Sequence, residues 1–136
     1  MDQIKVYMEE NLVTVKPEAS ATEAAKLMLG KKVGALLVKD ASKCLGIITE
    51  ADLTYKVLAK DLNPVNTKVS AVMSSALITL DCEKTMMEAY QLMRRNNIRH
   101  LAITENKKLV GMLSIKDFAN YYNNKFGSEE KKQETE

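Results

Sequence analysis

The chain has 136 residues, 46% hydrophobic and 28% charged, with five Gly and two Pro. That composition excludes a disordered or collagen-like chain and a large multidomain enzyme, leaving one core or two very small ones that share an interface. The net charge of +2, about +4 without the acidic residues 128–136, is too small to argue for nucleic acid.

Cys44 and Cys82 are the only cysteines, each in an apolar stretch, which argues against a disulfide framework or a cysteine-based zinc site. No apolar run approaches the roughly 18 residues of a membrane span, and the first residues lead into no signal-peptide core. A cytoplasmic protein without membrane contact is expected.

In chain order, residues 12–15 are a short β-rich run closed by a turn at Pro17. A helix is predicted from Ser20, with Glu23 as its capping-box partner and Ala24, Leu27 and Met28 on its apolar face. Lys31 and Lys32 close that helix, where cations suit the negative end of the dipole. Strands follow at 35–38 and 44–48 around a polar turn at 40–43, and a second helix begins at Thr49. Residues 62–68, which include Pro64, break the helical pattern and read as a linker.

The same order then returns. Leu77, Ile78 and Thr79 open a strand, Thr85 and Glu88 cap a helix with Ala89, Leu92 and Met93 on one face, and Arg94 and Arg95 close it. Strands at 101–103 and 109–113 flank a turn at 105–108, and the last helix begins at Ser114. Of the eight methionines, Met28, Met87, Met93 and Met112 fit core positions rather than a metal site. The charged segment 127–136 is expected to be disordered.

Residues 4–53 laid over 69–118 need no gap. The 50 pairs contain 12 identities, among them Met8/Met73, Thr14/Thr79, Glu23/Glu88, Gly46/Gly111 and Asp52/Asp117, far more than chance supplies. The chain is therefore a duplicated β-α-β-β-α unit of the α+β class: a first repeat at 1–61, the linker at 62–68, and a second repeat at 69–126.

Gly46-Ile47-Ile48-Thr49-Glu50-Ala51-Asp52 and Gly111-Met112-Leu113-Ser114-Ile115-Lys116-Asp117 resemble the G-h-x-[S/T]-x-x-[D/N] signature of cystathionine-β-synthase (CBS) domains. Val6-Tyr7-Met8 and Ala71-Val72-Met73 resemble the family's lead-in segment. The resemblance spans about residues 4–122. It departs at Leu37 and Ala102, where many members carry a Pro, which bears on the local backbone at the start of the second strand. The family implies two small three-stranded sheets packed through a pseudo-twofold, with two clefts for adenosine-containing ligands. It also implies pairs that dimerise again into a flat disc.

Thr49 and Ser114 end a strand and begin a helix, so their hydroxyls and the first helical N–H groups form an anion site by geometry. Asp52 and Asp117 lie three residues on. The resemblance gives them the two hydroxyls of a ribose, whereas helix logic alone makes them capping-box partners, and the two roles are compatible. Gly46 and Gly111 read either as turn or bulge glycines or as positions where backbone approaches a ligand.

Arg99 and His100 stand where the first repeat has Gly34 and Ala35. The family often faces this position toward phosphates, and a guanidinium is a natural phosphate partner; the alternative is a solvent or dimer surface. Thr14 and Thr79, with Val13 and Ile78, would form an adenine wall or else pack in the core.

The resemblance thus implies a regulatory module that senses AMP, ADP, ATP or an S-adenosylmethionine-like compound, works as a homodimer, and signals to a separate effector protein. A ligand-independent dimerisation or protein-interaction module is the alternative. Nucleic-acid recognition by stacking is disfavoured by only seven aromatic residues. No nucleophile, metal cluster or phosphate loop argues for an enzyme, and no cofactor or metal is expected.

Overall fold

A computed structural model of the chain describes the backbone of residues 2–134 and the side chains of residues 2–127. In chain order the elements are α1 (Ile4–Tyr7), β1 (Thr14–Val15), α2 (Ala21–Lys31), β2 (Ala35–Asp40), β3 (Lys43–Thr49) and α3 (Glu50–Asp52). α3 runs on as a π-helical segment, Leu53–Leu58, followed by α4 (Val69–Val72), β4 (Thr79–Asp81), α5 (Met86–Asn96), β5 (His100–Glu105), β6 (Lys108–Ser114) and α6 (Ile115–Glu134). The architecture is α+β with two three-stranded sheets, β1-β2-β3 and β4-β5-β6.

In each sheet the middle strand pairs in parallel with the first and antiparallel with the third. The parallel pair is possible because a helix of 11 residues, α2 or α5, carries the chain back between the two strands. Both helices start as their sequences require. Ser20 Oγ accepts from the Glu23 N–H at 3.0 Å, and Thr85 with Glu88 closes both arms of a capping box. Both also end alike, on a residue in the left-handed region, Lys32 (φ 56°) and Asn97 (φ 50°), which stops the helix within a turn. A register shift follows in each antiparallel pair, at Val38/Lys39 and Ile103/Thr104, where Leu45 of β3 and Val110 of β6 are the extra residues. The duplication thus extends to backbone irregularities.

Contacts divide the chain into two compact units, residues 12–77 and residues 1–11 with 78–136. The repeat has boundaries 1–61, 62–68 and 69–126, and the contacts cut across them. In the unit 12–77, Ala21, Ala24 and Met28 of α2 pack with Leu36, Val38 and Ile48 of the sheet and with Val69 and Val72 of α4. In the other unit, Met86, Ala89 and Met93 of α5 pack with Leu101, Ile103 and Leu113, and the fully buried Ile4 of α1 joins them. Each lead-in helix therefore completes the core of the unit built on the other repeat. The Ile4 N–H donates to the Lys84 carbonyl at 2.9 Å and the Lys5 N–H to the Cys82 carbonyl at 3.0 Å. In the same way the Val69 N–H donates to the Ala19 carbonyl at 2.8 Å.

Several expectations need adjusting. The first strand, predicted over 12–15, forms a ladder only at Thr14–Val15. Met87 is exposed, and it is Met86 that enters the core. Cys82 is fully buried, its thiol donating to Glu105 Oε2 at 3.3 Å, whereas Cys44 is half-buried. α6 begins at Ile115 and runs into the segment expected to be a disordered tail; residues 135–136, and the side chains from 128 onward, lie outside the described residues. At Leu37, where the family often has Pro, the N–H donates to the Val13 carbonyl at 3.0 Å, a ladder bond that proline would remove.

Gly46 and Gly111 lie inside β3 and β6, neither in a turn nor at positive φ. A Cβ on Gly46 would come within 2.2 Å of the Ser74 carbonyl oxygen, and one on Gly111 within 2.8 Å of Met8 Sδ and 2.9 Å of the Glu9 carbonyl oxygen. The lead-in backbone therefore presses against both glycines, and this alone requires them. Gly46→Ala should cost about 3 kcal/mol, because its 2.2 Å clash is with backbone, and Gly111→Ala nearer ~1 kcal/mol, because the Glu9 carbonyl at 2.9 Å has only a little to give and the Met8 side chain can swing aside. Urea denaturation of the two variants checks both the loss and its order.

Candidate functional site

The pairing registers bring most of the sequence-predicted residues together. Thr14 lies opposite Leu37, and Thr49 opposite Ala35, so the two threonines flank β2 two residues apart. Leu36, Val38 and Ile48 belong to the core cluster, so alternation puts Thr14, Ala35, Leu37 and Thr49 on the other face of the sheet. In the second unit Thr79 lies opposite Ala102, and Ser114 opposite His100. Thr79, His100 and Ser114 therefore share the corresponding face. Val13 and Ile78 pack against the two cores, whereas Thr14 and Thr79 are exposed.

Asp52 and Asp117 sit in the first turn of the helix that follows. Asp52 Oδ2 accepts from the Thr49 N–H at 2.8 Å and the Thr49 hydroxyl at 3.2 Å, and the Asp52 N–H donates back to Thr49 Oγ1 at 3.4 Å. Asp117 Oδ2 accepts from the Ser114 N–H at 2.8 Å and its hydroxyl at 3.3 Å. The capping role expected for both carboxylates is therefore real. Each cap uses only one of the two carboxylate oxygens.

The helix N-termini are less open than their sequence promises. The Glu50 N–H donates to the Gly34 carbonyl at 3.0 Å and the Ile115 N–H to the Arg99 carbonyl at 3.3 Å. Arg99 thus joins the site through its backbone, while its side chain is exposed. Gly46 and Gly111 do not line this cluster in any way their missing Cβ requires, since the lead-in chain occupies that space.

Asp117 is 1% exposed, and its Oδ1 is buried with no hydrogen-bond partner among the described residues. Burial raises its pKa above the ordinary carboxylate range, the Ser114 N–H pulls it back, and the neighbouring Glu9 charge raises it further. Such an oxygen accepts from any donor that can reach it, a hydroxyl above all. Two contributors were not singled out from sequence: Glu9, whose charge acts on Asp117, and Lys56. Lys56 lies at i+4 from Asp52 and pairs with it at 2.8 Å, a spacing that sequence does display.

The profile of the CBS domain matches residues 3–59 and 69–124. The chain belongs to the CBS domain family. It is 33% identical over 119 residues to the CBS domain-containing protein YhcV of Bacillus subtilis, covering 88% of this chain and 84% of that one. It is 36% identical over 104 residues to CBSCBSPB5 of Arabidopsis thaliana, where the match covers 76% of this chain and only 19% of the longer protein. Among solved structures, an uncharacterized conserved protein from Pyrococcus horikoshii superposes with a TM-score of 0.83 at 33% identity, covering 88% of this chain and 91% of that one. A hexameric CBS-CP12 protein from bloom-forming cyanobacteria superposes at 0.79 with 29% identity, over 86% and 66% of the two chains. CBS domain pairs generally serve as regulatory or sensor modules, and no helix among the described residues is long and apolar enough to cross a membrane.

The buried carboxyl has a consequence for stability. Because folding raises the pKa of Asp117, its contribution is most favourable below the unfolded value of about 4 and is lost as pH rises through the folded value. Asp117→Asn keeps an acceptor for the Ser114 N–H and removes the buried charge. It should stabilise the protein by about 1 kcal/mol at pH 7 and leave stability nearly unchanged at pH 4. Urea titrations at the two pH values check the sign.

Proposed function

We propose that this CBS pair binds an adenosine-containing ligand, either AMP, ADP, ATP or an S-adenosylmethionine-like compound, and reports it to a separate effector protein as a cytoplasmic homodimer. The observation that carries the reading is the unpartnered, buried Asp117 Oδ1, on the carboxylate that caps at Ser114, a residue that shares its sheet face with Thr79 and His100. A ribose offers two adjacent hydroxyl donors to such an acceptor. The exposed Arg99 guanidinium at the same strand end suits the phosphates. We assign the site no catalytic step.

Ligand bound to the folded state alone stabilises it by mass action, about 2.7 kcal/mol at a hundredfold excess over Kd. Titration calorimetry and thermal shift with AMP, ADP, ATP and S-adenosylmethionine should give heat and a concentration-dependent rise in Tm for at least one of them. Absence of both at millimolar concentration contradicts the reading and favours the ligand-independent interaction module.

Self-association is supported by an apolar groove of about 390 Å³ within the unit 12–77, between α2 and the π-helical segment, lined by Ala25, Leu29, Leu53, Val57, Leu58 and Leu62. Leu29 and Leu58 are 80% and 74% exposed on it, a bare apolar face of the kind that associates. The doubly charged variant Leu29→Glu with Leu58→Glu should sediment as a monomer where the parent chain sediments as a dimer.

A further inference from the structure

The two candidate carboxylates are copies in sequence and differ in what holds their second oxygen. Asp52 Oδ1 meets the Lys56 ammonium at 2.8 Å, and the same ammonium donates to the Val72 carbonyl of α4 at 3.0 Å. Lys56 is therefore held from two sides. It lies on the π-helical segment Leu53–Leu58, a wider turn than the α-helix. The repeat puts Tyr121 at the same offset from Asp117. Its ring stands edge-on to Tyr7 at 5.1 Å, and its hydroxyl donates to Asp2 Oδ2 at 3.0 Å. The Lys125 ammonium, one turn further on, is also paired with Asp2. Among the described residues no cation bonds to Asp117, and its Oδ1 is left unpartnered.

We propose that Lys56 closes the Asp52 site from within, so that the chain takes one adenosine ligand, at Asp117, and Lys56 is the residue that sets this stoichiometry. The inference rests on the ligand class proposed above and adds which site accepts it. The Asp52 side chain is only 12% exposed, so a ligand hydroxyl reaches it only if the ammonium leaves. A neutral hydroxyl replaces a charge-assisted bond poorly, and a nearly buried carboxylate stripped of its cation is costly. At Asp117, itself 1% exposed, the packing over Oδ1 has to open, but no ion pair breaks and the hydroxyl satisfies an orphaned acceptor.

Calorimetry on the full chain with AMP, ATP and S-adenosylmethionine as probes tests this. The parent chain should bind about one equivalent of the accepted probe, and Lys56→Met, which keeps the aliphatic stem, about two. Asp117→Asn should weaken the parent's binding by about tenfold or more, while the double variant Lys56→Met with Asp117→Asn recovers about one equivalent. Lys56→Gln repeats the comparison with a polar side chain, and a cooperative melting transition shows that each variant is folded. Two equivalents in the parent chain, a single equivalent in folded Lys56→Met and Lys56→Gln, or weaker binding on loss of Lys56 each overturn the proposal. The last of these would make Lys56 a phosphate partner. Silence from all three probes with parent and variants alike defeats the ligand class itself and this inference with it.

Discussion

The third strand of each sheet has an outer edge, and backbone from the other repeat's lead-in segment satisfies it. Met112 and Glu9 exchange both backbone bonds, at 2.8 and 2.9 Å, as do Ile47 and Ser74, both at 2.9 Å. Without these bridges β3 and β6 would present unpaired polar groups next to apolar cores. The exchange requires glycine at positions 46 and 111, buries Ile4 and Val69, and closes sheets too small to be comfortable alone.

The same exchange makes the two sites unequal. Ser74 and Glu9 occupy matching places in the duplication, so the lead-in chain brings a neutral residue to one unit and a carboxylate to the other. Glu9 adds to the burial that raises the pKa of Asp117. Val72 and Tyr7 also match. Val72 offers Lys56 a carbonyl, which keeps the ammonium beside Asp52, whereas Tyr7 offers Tyr121 a ring. Two substitution pairs on the lead-in segment and one on the closing helix thus turn a symmetric plan into one ion-paired carboxylate and one unpaired carboxylate.

Much of this was readable in the residues. The gapless repeat predicted the α+β class, the element order and the paired caps, because capping, turn chemistry and helical periodicity are local and each leaves its mark within a few positions. The capping role of Thr49 with Asp52 and Ser114 with Asp117 was legible for the same reason. The exchange of lead-in segments was not, since residues 4–11 and 69–77 carry the same pattern and local chemistry does not say which sheet each will join. That ambiguity also hid the reason for the two glycines, which read as turn, bulge or ligand positions. Glu9 and Tyr121 escaped notice because their roles depend on contacts across more than a hundred residues. Lys56 stood at a readable spacing, but its consequence appears only beside Tyr121.

The exchange is the claim on which the sites and their inequality depend, and Ile4 reports on it most directly. Ile4 is fully buried in the core built by Met86, Leu101 and Leu113, although in sequence it belongs to the first repeat. Hydrogen exchange of Ile4→Ala under native conditions should show faster amide exchange across β4, α5, β5 and β6, with β1, α2, β2 and β3 as protected as in the parent chain. Faster exchange confined to β1, β2 and β3 instead would place the lead-in helix on its own repeat and contradict the account.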